Sequence, residues 1–244
     1  MSSAFANDIK MPEIKYPTLP ETGKDISAFM PNEWLIEKIV YGDLNNDGDD
    51  DIALVLRYVG INLDNVVILN NDVEDKFDIT PRILAVLFKE KTSYRLGVQS
   101  NSIIPPLDPN ARSLKPWDSF NEDLNGGIDI SNNKLSVSFG YLTNTMGTNT
   151  LSFRYQDKNF TLIGYDTISV HRPTGDTRDE SYNLLTEKCK VTKGNIGSEN
   201  LKEAWGRYSL KQPLNINQII QFKEPFGAHC PTSLDNDNYD ELIP

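Results

Sequence analysis

Two stretches with apolar residues at every second position constrain this chain most. In "GIDISNNKLSVSFGYL" (127–142), Ile128 and Ile130 alternate, Asn132-Asn133 supplies a tight turn, and Leu135, Val137 and Phe139 alternate beyond it. "TLSFRYQDKNFTLIGYDTISV" (150–170) repeats the form, with Leu151, Phe153 and Tyr155 before a turn at Gln156 to Asn159 and Phe160 and Leu162 after it. A period of two puts one side chain set on each face of a pleated strand, and an Asn-rich pair between two such runs is a hairpin signal. Further short apolar runs, "IEKIVYGDL", "DIALVLRYV", "RILAVLFKE" and "YRLGVQSNSII", are separated by turn residues. Helical periodicity is confined to "ISAFM" and "SENLKEAW". The expectation is a mainly β fold, an antiparallel meander or sandwich of hairpins with few short helices. No fixed-period repeat occurs, which argues against a propeller.

The 244 residues suffice for one large domain or two small ones. Residues 1–31 hold Pro12, Pro17, Pro20 and Pro31 and read as an extended N-terminal arm. Residues 32–230 read as a single β-rich domain, with a long loop rich in Pro, Asn and Asp at 105–127, and 231–244 as an acidic C-terminal tail. Ala4-Phe5-Ala6 is a small-x-small pattern of the kind signal peptidases cut, so residues 1–6 are a candidate remnant of an export signal. No run reaches the ~20 apolar residues of a membrane-spanning helix. Basic residues number 24 and acidic ones 35, giving a net charge of −11. That balance, with no local Lys/Arg cluster, argues against a nucleic-acid partner and suits a basic protein partner. The two cysteines, Cys189 and Cys230, are either a disulfide pair, if the chain matures in an oxidising compartment, or two buried thiols.

The densest chemistry lies in "YGDLNNDGDDDIALVLR" (41–57). Asp43, Asn45, Asp47, Asp49 and Asp51 fall at alternate positions with Gly48 among them, the spacing D-x-N-x-D-G-x-x-D. Carboxylate and amide oxygens at that spacing in a curled loop can converge on a hard cation, and calcium takes six to eight oxygens. The carbonyl of Asp49 is the natural fifth ligand and Asp51 closes the set. An EF-hand would need Glu at the twelfth position, which is Leu54 here, and helical flanks. The loop resembles the strand-linking calcium loops of the FG-GAP/VCBS type. The wider string, with Pro31-x-x-Trp34 ahead of "GDLNNDGDDD", resembles the opening of a group of uncharacterised exported bacterial proteins. The resemblance covers roughly residues 28 to 70; it implies metal binding and export, hence a periplasmic or secreted location, and implies no reaction.

Other candidates are thinner. His171, Arg172 and Arg178, in "SVHRPTGDTRDE", form a polar stretch at the end of an expected strand, and Trp117 in the long loop is a candidate exposed anchor for a partner. His229 adjoins Cys230, but neighbouring residues on a strand face opposite ways. Asp235, Asp237 and Asp240 lack a glycine and a following strand and read as a solvated tail. Nucleophile-elbow, zinc-protease, dinucleotide and phosphate-loop motifs are missing. Two functions remain: an exported, calcium-stabilised binding protein, such as an inhibitor or immunity protein masking a secreted toxin, effector or lytic enzyme, or a cell-wall or glycan hydrolase with unidentified carboxylates.

Overall fold

The structure, a computed structural model, describes residues 15–61, 66–70, 73–77, 80–104, 120, 126–142, 144–219 and 230–234. Fourteen strands occur among them. The first seven are β1 (Thr22–Gly23), β2 (Trp34–Gly42), β3 (Asp51–Tyr58), β4 (Val66–Asn70), β5 (Val73–Phe77), β6 (Arg82–Glu90) and β7 (Ser93–Ser100). The rest are β8 (Gly127–Ser131), β9 (Lys134–Leu142), β10 (Thr145–Gln156), β11 (Asn159–His171), β12 (Asp176–Asn183), β13 (Lys188–Asn195) and β14 (Ser198–Arg207). Helical structure among the described residues is limited to two 3-10 turns, Ile26–Phe29 and Ile216–Gln218. Neither the sequence runs nor these turns supply a helix long and apolar enough to cross a membrane.

The strands form two large antiparallel sheets and a separate β4-β5 hairpin. One large sheet has five strands in the order β1-β7-β6-β3-β2, and the other is a seven-stranded meander running from β8 to β14. The main core lies between them. Ala53, Val55, Leu84, Val86 and Phe88 from the five-stranded sheet pack against Leu135, Val137, Phe139, Leu151, Phe153, Phe160 and Leu162 from the seven-stranded one. Phe88 stacks on Phe160 at 6.1 Å between centroids. The two sheets draw close where β2 ends. A Cβ on Gly42 would stand 2.5 Å from the Ile130 side chain on β8, so the approach needs a residue without one.

Strands β3 and β6 are apolar on both sides because both of their faces are covered. Their alternate residues Ile52, Leu54, Leu56, Ile83, Ala85 and Leu87 form a second core with Leu19, Phe29 and Trp34. Part of the expected arm is therefore structural: β1 pairs with β7, and Leu19 and Phe29 are buried. A strand buried on two faces reads as an unbroken apolar run, which is how "DIALVL" and "RILAVLF" appear in the sequence.

One element departs from expectation. "SENLKEAW" carries Leu201, Ala204 and Trp205 at helical spacing, yet it lies in β14, paired with β13. Its backbone finds partners along the neighbouring strand, and this ladder overrides a weak local preference. The two expected hairpins are present. Their turns have positive φ at Asn132 and Asn133 (52° and 55°) and at Asp157 and Lys158 (49° and 62°). Two consecutive left-handed residues match the right-handed twist of the flanking strands, and Asn tolerates that region better than most side chains.

Candidate functional site

The aspartate loop joins β2 to β3 and is curled by its own side chains. Asp43 accepts the Asn46 N–H at 2.6 Å on one oxygen and the Gly48 N–H at 3.0 Å on the other. Asn45 Oδ1 accepts the Asp47 N–H at 2.9 Å, and Asp47 Oδ1 accepts the Asp49 N–H at 2.9 Å. The Asn45 amide also donates to Asp47 Oδ2 at 2.8 Å. Asn46 and Gly48 take φ of 64° and 92°, which turn the chain back on itself.

Three anchors fix the loop to the sandwich. Leu44 is buried in the main core. The Asn133 amide donates to the Asp43 carbonyl at 2.9 Å, tying the loop to the β8–β9 turn. Asp51, fully buried, accepts the Leu44 N–H at 3.0 Å on one oxygen and the Lys89 N–H at 2.9 Å on the other. It thus staples the loop to β6. Burial pushes the Asp51 carboxyl above the usual carboxylate range; those two N–H donors pull it back, and the Asp47 and Asp43 charges raise it further.

The donor chemistry fits a hard cation: carboxylate and amide oxygens with no thiol or imidazole among them. Among the described residues no three His, Cys, Asp or Glu side chains are grouped closely enough to hold a metal. Binding would therefore draw Asp43, Asn45 and Asp47 oxygens away from part of their turn bonding. A small cavity of about 230 Å³ adjoins the loop, lined by Asn45, Asn46, Asn132, Asn133, Arg154 and Tyr155 with Leu44. Three of its asparagines occupy positive-φ positions, so turn geometry already accounts for them.

The remaining candidates do not converge. His171 ends β11, with its Nδ1 2.9 Å from the Thr174 hydroxyl in the turn to β12. The Arg172 N–H donates to the Asn144 carbonyl at 2.8 Å. Arg178 lies within β12, its Nε donating to Glu180 Oε1 at 2.5 Å. The polar stretch at 171–180 is thus a short turn followed by a strand rather than one long loop. Trp117, His229 and the three tail aspartates lie outside the described residues.

Two features escaped the sequence reading. The first is a buried polar network at the far end of the seven-stranded sheet. Glu180 bridges Arg178 and the Tyr182 hydroxyl, which in turn accepts the Cys230 N–H at 2.8 Å. Lys193 donates to the Leu234 carbonyl at 2.6 Å, and Tyr165 to Asn149 Oδ1 at 2.9 Å. Burial raises the Tyr165 and Tyr182 hydroxyls far above the ordinary phenol range, so both stay protonated donors. Beside this network Cys189 and Cys230 are joined in a disulfide with a Cα–Cα distance of 5.8 Å. The signal was "TRDESY", where Arg178, Glu180 and Tyr182 alternate on one face.

The second is an apolar patch on the outer face of the same sheet. Leu142 sits opposite Met146, and Ile168 opposite Thr148, so three exposed apolar side chains on β9, β10 and β11 adjoin one another. In the sequence Ile168 and Val170 share the parity of the core residues Phe160 and Leu162; the register shift opposite Ser152/Phe153 is what carries them to the outer face. No family model matches this chain, and no curated protein or solved structure matches it either.

Proposed function

We propose that this protein is a non-catalytic binding module, exported to the periplasm or beyond, that engages another protein through the outer face of its seven-stranded sheet. The observation that carries the reading is the exposed Leu142–Met146–Ile168 patch on a rigid two-sheet scaffold. An apolar cluster rimmed by polar strand residues is the usual make-up of a recognition surface. The net charge of −11 would speed encounter with a basic partner. The Cys189–Cys230 disulfide suits an oxidising compartment. Calcium, held by Asp43, Asn45, Asp47, Asp51 and the Asp49 carbonyl, would serve the scaffold: the loop lies between two core strands, and Asp51 is committed to holding it there. An inhibitor or immunity protein that masks a secreted toxin or lytic enzyme has these properties.

The test compares wild-type protein with a Met146→Glu/Ile168→Asp variant, both immobilised and exposed to periplasmic and secreted extracts of the source organism. A protein retained by the wild type, lost with the variant and released by salt supports the reading. Turnover of peptidoglycan or a glycan by the purified protein, abolished by changing one carboxylate, would refute it in favour of the hydrolase.

A further inference from the structure

We propose that β14 pairs antiparallel with the β14 of a second copy, joining two seven-stranded sheets into one across a twofold axis at Glu203. Among the described residues strand β14 is the last in its sheet, and eight of its ten residues are exposed. Leu201 and Trp205 stand out at 61% and 67% exposure. An exposed edge of this length presents unpaired backbone donors and acceptors to any strand that can match it.

The backbone fixes which groups face outward. Tyr208 donates its N–H to the Glu187 carbonyl across the β13–β14 ladder. Hydrogen-bonded positions alternate along an antiparallel strand, so Gly206, Ala204 and Lys202 also bond toward β13. Trp205, Glu203 and Leu201 then direct their N–H and C=O groups to the open edge. Their side chains share the outer face: Lys190, opposite Trp205, lies 5.9 Å from its ring, and Leu201 covers Gly194.

A twofold axis normal to the sheet keeps each side chain on its own face, so facing residues must share parity. The β13–β14 ladder shifts register beyond Lys202, so the regular part of the edge runs over 201–207; centring the pairing on Glu203 places Leu201 opposite the second copy's Trp205, twice by symmetry. Lys202 meets Ala204 on the inner face. An aliphatic–aromatic pair is among the favourable cross-strand kinds. Moving the axis one residue toward the N-terminus would set Lys202 against itself and break both Leu201–Trp205 pairs. The single like-charge contact in the favoured register is Glu203 with its mate, and each Glu203 carries its own Lys190 ammonium at 2.5 Å.

The register makes a sharp test, because both native cysteines are already bridged and none is free. Facing Cα atoms of a hydrogen-bonded pair lie about 5.5 Å apart, within disulfide reach. Glu203→Cys should therefore oxidise to a covalent dimer that reductant dissolves. Arg207→Cys, displaced from its mate by eight residues along the strand, should not. For the wild type, sedimentation velocity between about 1 and 500 µM should show a reversible monomer–dimer equilibrium, weak because one strand per copy is a small interface. Leu201→Lys, at an exposed position, should leave the melting temperature little changed and raise the dissociation constant at least tenfold. A monomer throughout that range, a dimer indifferent to Leu201→Lys, or equal cross-linking through Glu203→Cys and Arg207→Cys would each overturn the pairing.

Discussion

Asp51 and Asp179 are both carboxylates taken out of water, and their surroundings treat them differently. Asp51 has a backbone N–H on each oxygen. Asp179, on β12, has its Oδ1 buried without a partner, and burial raises its carboxyl, offset only by the Ser169 N–H. A carboxyl raised on folding binds its proton more tightly in the native state. Its contribution is fully present below the unfolded value and is lost as pH rises through the folded one. Stability should thus decline from about pH 4 upward through the raised value. Asp179→Asn should flatten that decline and raise the melting temperature at pH 7; an unchanged pH profile would show that Asp179 is not responsible. For the loop, a ligand that binds only the native state at 100 times its dissociation constant stabilises by about 2.7 kcal/mol. In a chain of this length that is a rise in melting temperature of roughly 5–10 °C. Calcium and EGTA should give melting curves separated by that order. Asp47→Ala, which also removes the Asp49 cap, should make the two curves coincide. Coincident curves for the wild type would mean that the loop is a metal-free acidic turn.

At the scale of elements, the seven-stranded sheet changes character along its width. Strands β8 to β11 face the second sheet across an apolar core, whereas β12 and β13 turn toward the 230–234 segment with a polar network and a disulfide. Gly206 lets that segment pass close over β14, since a Cβ there would stand 2.4 Å from the Pro231 carbonyl and 3.0 Å from the Cys230 sulfur. The bridge holds the segment there together with the Tyr182 and Lys193 hydrogen bonds and a small apolar cluster. Its two cysteines are 41 residues apart, and closing a loop of that size contributes about 2–4 kcal/mol, largely through the unfolded chain. Reductant should lower the melting temperature by roughly 4–16 °C, and iodoacetamide should label two thiols only after reduction. Two thiols labelled in denaturant without reductant would contradict the bridge in the native protein.

At the scale of the molecule, the two hairpin runs with alternating apolar residues and left-handed Asn or Asp-Lys turns determined their own pairing, because their information is local. The same holds for the curl of the aspartate loop, where Asp43, Asn45 and Asp47 bond to N–H groups within five residues. The unbroken apolar runs around Leu54 and Val86 announced strands covered on both faces without saying what covered them. The tertiary structure supplied the answer: the opposite sheet on one side, Leu19, Phe29 and Trp34 on the other. It also decided that Asp51 is a buried staple to β6, since its partner Lys89 lies 38 residues away. Likewise "SENLKEAW" became an edge strand only through its pairing with β13. Local sequence carries φ preference and periodicity; which strand lies alongside, and which face meets water, depends on contacts between distant residues that periodicity does not encode.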